Sequence, residues 1–494
     1  MLWCGHIYYL IAILLFLTSL SIFFRLTSWN YHVLGTTHNP TTFITLSVLN
    51  ALAVLTLIFL YNIFQLLTSL NLILNSQYNF LYLNTYNTGI TNTYYEYLDL
   101  NYFSVYYFPF IYIFLIVTFL SLFFCLTYNK TELASFSFFC LVILLSGYIL
   151  FSTDSLVLFF MAYEMLLIPS FFILYKFAKT RRSVEAAYLM FFWTQFGAMF
   201  LIFGLLYLFH LSHFSSLNQL NDLYLNSFEL NFIFFCIFLG FGVKLPIWPF
   251  YGWLPKAHVE ASTNFSIFLS GVLVKFAFFG FFKILINLQL EPTFYFVYPF
   301  LTIGISDAVF KLFHQIDLKK LVAYSTVVEM HWLTICILSG HSALVLASFS
   351  MLISHALLST NSFLLVDAIG RRFKTRLITE IGGINFMCPK LFLVALLNLL
   401  IFLGFPGTIM FIAEILFFSF FFDLYPTLCL FYIVLLYLLG PTMFFRSWLL
   451  VLFGHSSFFM HSLPTDLTSR ECTLYMGLIF LMSWLGISWQ SFLF

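Results

Sequence analysis

Apolar runs of about 20 residues recur along almost the whole chain, and no other feature of the sequence constrains its fold as strongly. A helix of that length crosses the ~30 Å hydrocarbon core of a bilayer. The residues are 62% hydrophobic and 8% charged, with a mean hydropathy of +1.01, which excludes a water-soluble fold. The sequence therefore predicts an all-α polytopic membrane protein with about 14 transmembrane helices. The predicted passes are 7–24, 43–65, 104–127, 134–151, 155–176, 186–209, 229–250, 264–288, 294–313, 319–339, 344–367, 391–421, 424–452 and 473–492.

The charges in the loops predict an orientation. Loops after odd-numbered passes carry Lys and Arg, whereas loops after even-numbered passes carry Asp and Glu and no basic residue. By the positive-inside rule, the odd-numbered loops face the compartment of synthesis and both termini face the opposite side. The basic loop residues are Arg25, Lys130, Lys176, Lys179, Arg181, Arg182, Lys256, Lys319, Lys320, Arg371, Arg372, Lys374, Arg376, Lys390 and Arg470.

Domain organisation is indicated by the lack of any Pro-, Gly- or Ser-rich linker. We expect a single membrane domain over 1–494. The long polar insertion at 75–103, rich in Asn, Thr and Tyr, is predicted to be a surface loop between the second and third passes, with partner binding as the alternative. The abundance of Phe, with 71 residues, and of Tyr, with 29, favours an AT-rich organelle genome.

Cofactor and metal motifs are not found in the sequence. The eight cysteines form no CxxC pair, so they lack the close spacing of zinc or iron–sulfur ligands. Neither a GxGxxG nor a Walker sequence occurs. We therefore expect the chain itself to bind no metal, redox cofactor or nucleotide, and no nucleic acid.

Four charged residues lie inside apolar runs, namely Glu164, Lys244, Lys275 and Glu414. A charge at mid-membrane depth costs at least ~2.5 kcal/mol on insertion scales, and such residues usually carry ions, protons or substrates. Glycines and prolines crowd two of these runs, in FLGFGVKLPIWPF around Lys244 and in LGFPGTIMFIAEIL before Glu414. Broken helices survive in a membrane only where they are buried in protein or line a watery cavity, so we expect functional breaks at both places. Simple proline kinks are the alternative.

Several strings in the chain resemble chain 4 of mitochondrial NADH–ubiquinone oxidoreductase, one family among the antiporter-like membrane subunits of respiratory complex I. The resemblance covers about 155–450, and LPKAHVEA together with the acidic Glu414 favours chain 4 over its sibling chains. The strings are AYEMLLIPSFFILYKF (162–177), VKLPIWPFYGWLPKAHVEAS (243–262), LVKFAFFGFFKI (273–284), QIDLKKLVAYSTV (315–327), SHALLSTNSFLL (354–365) and FPGTIMFIAEILFF (405–418).

This resemblance implies an antiporter-like fold with two inverted repeats, broken helices near Lys244 and Glu414, and an axis of proton transfer. Glu164 and Lys244 would form a switch, because a buried lysine keeps its proton while a carboxylate is near and gives it up when the two separate. Lys275 would be the central carrier and Glu414 the carrier on the exit side. His355 would link them, since imidazole exchanges protons near neutral pH. A static ion pair and a core histidine are the structural alternatives.

The chain departs from the family at two places. Relatives usually read AYSSVSHMG where this chain reads AYSTVVEMHW, so Glu329 occupies the customary histidine position and His331 lies two residues later. Two helical residues are ~200° of rotation, so His331 is predicted to point the other way, and Glu329 either replaces the histidine as a proton carrier or changes that step. Ser262 replaces a customary proline, which leaves the start of the next helix undefined.

Other charges have less certain roles in the sequence. His258 and Glu260 either gate a mouth of the path or cap a loop, and Lys283 is predicted to snorkel to an interface. Caps or headgroup contacts are expected of Asp307, Lys311 and Asp317. Arg446 either pairs with Asp423 or lines a channel. The cluster from Lys176 to Arg182 fits an anionic lipid such as cardiolipin or a plain orientation signal.

The expected function is that of a proton-translocating membrane-arm subunit of complex I in the mitochondrial inner membrane, with both termini on the intermembrane-space side. The resemblance implies that NADH, flavin, iron–sulfur clusters and ubiquinone bind elsewhere in the complex, and that the related antiporter-like chains are the main partners. The alternatives are a subunit of a cation/proton antiporter, and a structural subunit whose buried charges conduct nothing.

Overall fold

The structure is a computed structural model that describes residues 100–123, 130–178, 180–212, 217, 226–288, 297–454 and 464–488. The chain divides into two compact units, Met1–Glu96 and Tyr97–Phe494. The predicted passes 7–24 and 43–65, and nearly all of the predicted 75–103 loop, lie outside the described residues. All of the described helices belong to the second unit.

The described residues of this unit form helices and no strands beyond one isolated bridge between Asp317 and Leu377. In chain order the α-helices are α1 (Leu100–Phe123), α2 (Lys130–Ser152), α3 (Leu156–Met165), α4 (Leu167–Lys176), α5 (Arg181–Ser212), α6 (Ser227–Lys244), α7 (Trp253–Glu260), α8 (Thr263–Phe268), α9 (Val274–Asn287), α10 (Tyr298–Phe313), α11 (Leu318–Leu338), α12 (Ser342–Phe373), α13 (Ile384–Met387), α14 (Pro389–Phe402), α15 (Ile409–Leu424), α16 (Pro426–Ile433), α17 (Gly440–Phe453) and α18 (Ser469–Ile487).

Seven helical segments of the described chain are long and apolar enough to cross a bilayer. They are Ala134–Ser152, Leu156–Lys176, Arg181–Leu211, Ser227–Lys244, Thr263–Asn287, Leu318–Leu338 and Ser342–Phe373. Three of them form the centre of the bundle. The share of residues buried in the apolar stretch of the segment is 100% in Thr263–Asn287, 94% in Leu318–Leu338 and 89% in Ser342–Phe373. The outer helices expose large apolar side chains such as Phe192 and Phe203, as expected of a surface that faces lipid.

The central segment Thr263–Asn287 consists of three joined pieces. Ser262 is the N-cap of α8, and its hydroxyl accepts a hydrogen bond from Phe265 N at 3.4 Å. A serine cap therefore supplies the helix start that the missing proline left undefined. A π-helical turn, Leu269–Leu273, then leads into α9. Turns of this kind occur frequently at functional sites, and this one ends two residues before Lys275.

The first predicted break is present, and it shortens the pass expected at 229–250. Helix α6 ends at Lys244, and the chain continues through a 3-10 turn, Phe250–Gly252, into α7. Side chains satisfy backbone groups around this break: Trp253 Nε1 donates to Val243 O at 2.8 Å, and Trp248 N donates to His331 Nε2 at 2.8 Å. Buried irregular backbone is stable when its polar groups are paired in this way.

The second break divides the pass predicted at 391–421 into α14 and α15. Gly404 and Gly407 adopt left-handed φ values of 67° and 90°, and Thr408 caps α15. A Cβ atom on Gly404 would overlap the carboxylate of Glu414. The glycine thus permits both the turn and the close approach of the acidic side chain. The next predicted pass, 424–452, is helical from Pro426 to Phe453 through a π-helical turn, Val434–Leu439.

We predict that Gly404→Ala destabilises the protein by about 1–3 kcal/mol, because it combines left-handed strain with overlap against Glu414. Gly407→Ala meets no atom within 4 Å and should cost only the strain. Gly477→Ala lies in α18, also with nothing within 4 Å, and should be neutral or slightly stabilising. Thermal unfolding of the purified assembly measures the order. Equal midpoints for the first two variants would contradict the proposed overlap.

Candidate functional site

Lys275 lies at the centre of the bundle and is fully buried. Its ammonium donates to the carbonyl of Ser270, which belongs to the π-helical turn, and it contacts Nδ1 of His355 on α12. Both partners are uncharged acceptors when the imidazole is neutral, so they hold the lysine proton without an adjacent counter-ion. The proton on Lys275 therefore faces a group that can accept it.

His355 connects Lys275 to Glu329. The second ring nitrogen of His355, Nε2, lies 3.2 Å from Glu329 Oε2, which places α9, α12 and α11 around one row of ionisable groups. These two atoms are close enough for an ion pair, but they are not aligned as a hydrogen bond, and both count as buried and unpaired within the described chain. We call the row Lys275–His355–Glu329 the central row.

A cavity of ≈ 60 Å³ extends from Glu329 to Glu414. A water needs roughly 10–15 Å³ of such space, so the cavity can hold a few water molecules. Tyr437 donates its phenolic proton to Glu414 Oε2 at the far side of the cavity. The other lining residues are mostly apolar: Leu312, Ser325, Val328, Trp332, Met351, Phe402, Leu403, Met410, Phe418, Leu436 and Gly440.

Lys244 and Glu164 are neighbours, but the described contacts include no ion pair between them. Lys244 is buried, donates to Tyr163 O at 2.6 Å, and lies 3.3 Å above the centroid of the Tyr163 ring. Glu164 Oε1 is buried without a hydrogen-bond partner in the described part of the chain. A permanently closed ion pair is not what this geometry shows. The switch remains a prediction, and the lysine binds the residue immediately before its expected partner.

Comparison with known proteins places this geometry in a family. A family model described as NADH:quinone oxidoreductase/Mrp antiporter, TM, matches residues 153–440. The NADH-ubiquinone oxidoreductase chain 4 of Paramecium tetraurelia is 34% identical over 358 residues, which are 71% of this chain and 74% of that protein. The chain belongs to this family. The match confirms the resemblance predicted from 155–450.

Solved structures agree with the fold of the oxidoreductase/antiporter family. A chain of respiratory complex I from Thermus thermophilus with bound NADH superimposes with a TM-score of 0.65 and 21% identity, covering 77% of this chain and 81% of that chain. A chain of the Mrp complex from a Dietzia species superimposes with a TM-score of 0.66 and 15% sequence identity, covering 78% of this chain and 81% of that chain. At these levels of sequence identity, the similarity shows a shared fold and nothing further.

The side chains of Glu329 and His331 point to different regions of the structure. Glu329 points to His355 and the cavity, whereas His331 accepts from Trp248 N and has Val327 O 2.8 Å from its Nδ1. The His331 ring also fills the space above Gly304. His331 therefore fastens the first helix break, while Glu329 occupies the site.

The remaining predicted charges mostly hold helix ends. Asp317 is the N-cap of α11, and Lys311 forms an ion pair with Asp307 at 2.8 Å. Lys283 does not snorkel outward: it is buried and donates to Phe151 O at 2.7 Å and Thr153 O at 2.5 Å, because the end of α2 lies beside it.

Arg446 is exposed and lies 4.4 Å above the ring of Phe313 at the end of α10. Among the described residues its observed contact is therefore aromatic, and the predicted pairing with Asp423 is not seen.

Lys319, predicted from the sequence to be a loop charge, is a buried residue in the first turn of α11. Its side chain is 1% exposed, and its ammonium donates to Ala261 O at 2.6 Å. The DLKKL string contained a signal for this burial. Because α11 begins at Leu318, the consecutive residues Lys319 and Lys320 lie on different sides of the helix. His258, also buried, lies three residues before that carbonyl.

We predict that His331→Leu lowers stability by about 1–3 kcal/mol, since it leaves the part-buried Trp248 N–H without its acceptor. His331→Gln keeps an acceptor and should recover part of the loss. The midpoint of thermal unfolding measures both variants. A His331→Gln protein no more stable than His331→Leu would mean that ring packing, and not the hydrogen bond, holds the break.

Proposed function

We propose that this chain is a proton-translocating membrane-arm subunit of respiratory complex I. The observation that carries the proposal is the series of buried proton-binding groups formed by the central row, the cavity beside it and Glu414. Such groups are costly in a membrane interior and are typical of proton relays. The homology to chain 4 of Paramecium tetraurelia supports the assignment to complex I.

The geometry supports a stepwise transfer. Lys275 gives a proton to His355 Nδ1, and the ring releases a proton from Nε2 to Glu329, so the imidazole ends the step neutral again. From Glu329 the proton crosses the cavity through water to Glu414. Lys244 and Glu164 would control the charge near the start of the path by approaching and separating.

Further features of the proposal come from the sequence and from the family. We expect 14 passes in two inverted repeats, a location in the mitochondrial inner membrane, and both termini on the intermembrane-space side. The partners would be other membrane-arm subunits, above all the related antiporter-like chains, with cardiolipin near Lys176. Electron transfer would take place on cofactors held by other subunits.

A cation/proton antiporter subunit is the second candidate, and the similarity of fold to the Mrp complex favours it. The candidates differ in what drives transport. Quinone reduction by NADH would drive it in complex I, whereas a sodium or potassium gradient would drive it in an antiporter. The location of the gene among organelle respiratory genes would support the first.

We predict that Lys275→Met in the assembled complex lowers coupled proton transport through this chain at least ~10-fold, equivalent to ~1.4 kcal/mol in the barrier, because the central carrier is lost. Lys283→Met is the matched control: it removes a second buried lysine from the same helix, one that binds backbone carbonyls at the end of α2. Proton uptake per electron in reconstituted vesicles measures both. Unchanged uptake in an intact Lys275→Met complex would leave only the structural role for these charges.

We predict that Glu329→Gln lowers transport to a similar degree, because an amide forms hydrogen bonds but neither gains nor loses a proton at neutral pH. Glu329→His restores a proton-carrying group of the customary type and should retain most of the transport. The same vesicle assay of proton uptake per electron distinguishes a proton-carrying role of Glu329 from a packing role. Wild-type transport by Glu329→Gln would make Glu329 a packing residue.

A further inference from the structure

Tyr437 lines the cavity that also contains Glu329 and Glu414. Its phenol donates a hydrogen bond to Glu414 Oε2, and within the described part of the chain this is the only hydrogen bond that the carboxylate receives. The same oxygen is the atom that a Cβ on Gly404 would meet first. The carboxylate of Glu414 is therefore held between the second helix break and one phenol.

A π-helical turn, Val434–Leu439, carries Tyr437. Such turns are rare and occur frequently at functional sites. The other π-helical turn of the described chain, Leu269–Leu273, supplies the Ser270 carbonyl to Lys275. Each turn thus gives a hydrogen-bond partner to an ionisable group of the proposed path.

Few titratable groups face Glu414. Among the described residues that line the cavity, the other titratable side chains are Glu329 on α11 and Tyr437. Helices α16 and α18 also pack against α15 but add no residue to the cavity lining. A neighbouring carboxylate disfavours the ionised form of Glu414, whereas a neutral hydrogen-bond donor favours it. The helices α10, α12, α14 and α17 border the cavity with the uncharged residues Leu312, Met351, Phe402 and Gly440.

We propose that Tyr437 is a positioning residue for the release of the proton from Glu414. The inference rests on the proposed function and adds to it the residue that governs this release. In the release step the O–H bond of the Glu414 carboxyl breaks and its proton passes to water on the release side. Tyr437 keeps its own proton and donates to the carboxylate that remains. Because a hydrogen bond to an ionised acceptor is stronger than one to a neutral acceptor, the phenol favours release.

The hydroxyl group separates this role from packing. The ring of Tyr437 lies 5.0 Å from the ring of Phe418, and the residue is 41% exposed. A phenylalanine at position 437 would keep the ring contact and open no enclosed cavity. A packing role therefore needs the ring alone, whereas the proposed role needs the phenolic O–H.

The test compares Tyr437→Phe with Tyr432→Phe in assembled complexes. The hydroxyl of Tyr432 is buried and has no hydrogen-bond partner in the described part of the chain, so its removal is the matched control. Vesicles hold a strong buffer in the lumen, on the release side, at a series of pH values. Proton uptake per electron from the outside is measured with NADH and quinone. Subtracting the uptake of Lys275→Met gives the share carried by this chain.

For Tyr437→Phe we expect the lumen pH at which this share is half-maximal to rise by about one pH unit, a tenfold change in the proton affinity of Glu414. Without its donor the carboxyl holds its proton more tightly, so release needs a higher lumen pH. The share should therefore fall up to tenfold at low lumen pH and return to the wild-type value at high lumen pH. Tyr432→Phe should keep the wild-type midpoint.

A wild-type midpoint in Tyr437→Phe, a loss that is equal at every lumen pH, or an equal shift in Tyr432→Phe would each overturn the proposed role. Tyr437→Met also lacks a donor, and it gives the same test where Tyr437→Phe does not assemble. Lys275→Met separates failure of the two proposals. If it retains wild-type uptake, the proposed function fails; if it loses uptake while Tyr437→Phe keeps the wild-type midpoint, only the role of Tyr437 fails.

Discussion

The contact of Lys275 with His355 and the Ser270 carbonyl is the interaction on which the rest of the site depends. A buried ammonium is tolerable only where acceptors surround it, and here the π-helical turn and one imidazole provide them. Because the segment Thr263–Asn287 is buried on all sides, no outside solvent stabilises the charge. The neighbouring helices must therefore present polar groups inward, and α11 and α12 do so through Glu329 and His355.

Both helix breaks serve this arrangement by ending a helix beside an ionisable group. At the first break, Trp253 and His331 pair with the freed backbone, which leaves the ammonium of Lys244 to bind Tyr163 O. At the second, Gly404 allows the carboxylate of Glu414 to approach the turn. At this second break the strain of left-handed backbone and a buried carboxylate thus occur together, as is common at functional sites.

The apolar runs and the Gly–Pro clusters predicted the helices and their breaks because these depend on local chemistry. Side-chain contacts across helices were harder to predict. Glu164 and Lys244 were expected to pair, yet the lysine prefers the Tyr163 carbonyl, a choice of rotamer that leaves no mark in the sequence. The burial of Lys319 was not predicted, because a shift of one residue at a helix start decides whether a lysine lies in a loop or packs against another segment of the same chain.

The carboxylate of Glu329 gives the central row an acidic end. A histidine there would leave Lys275 without a nearby carboxylate, whereas Glu329 lies on the other side of His355 from the lysine. Glu329 also shares a cavity with Glu414, and two carboxylates in one apolar cavity are costly when both are ionised. One proton held between them lowers that cost. In the proposed transfer, loss of this proton from Glu414 would leave both carboxylates ionised, which would favour passage of the next proton from Lys275 through His355 to Glu329.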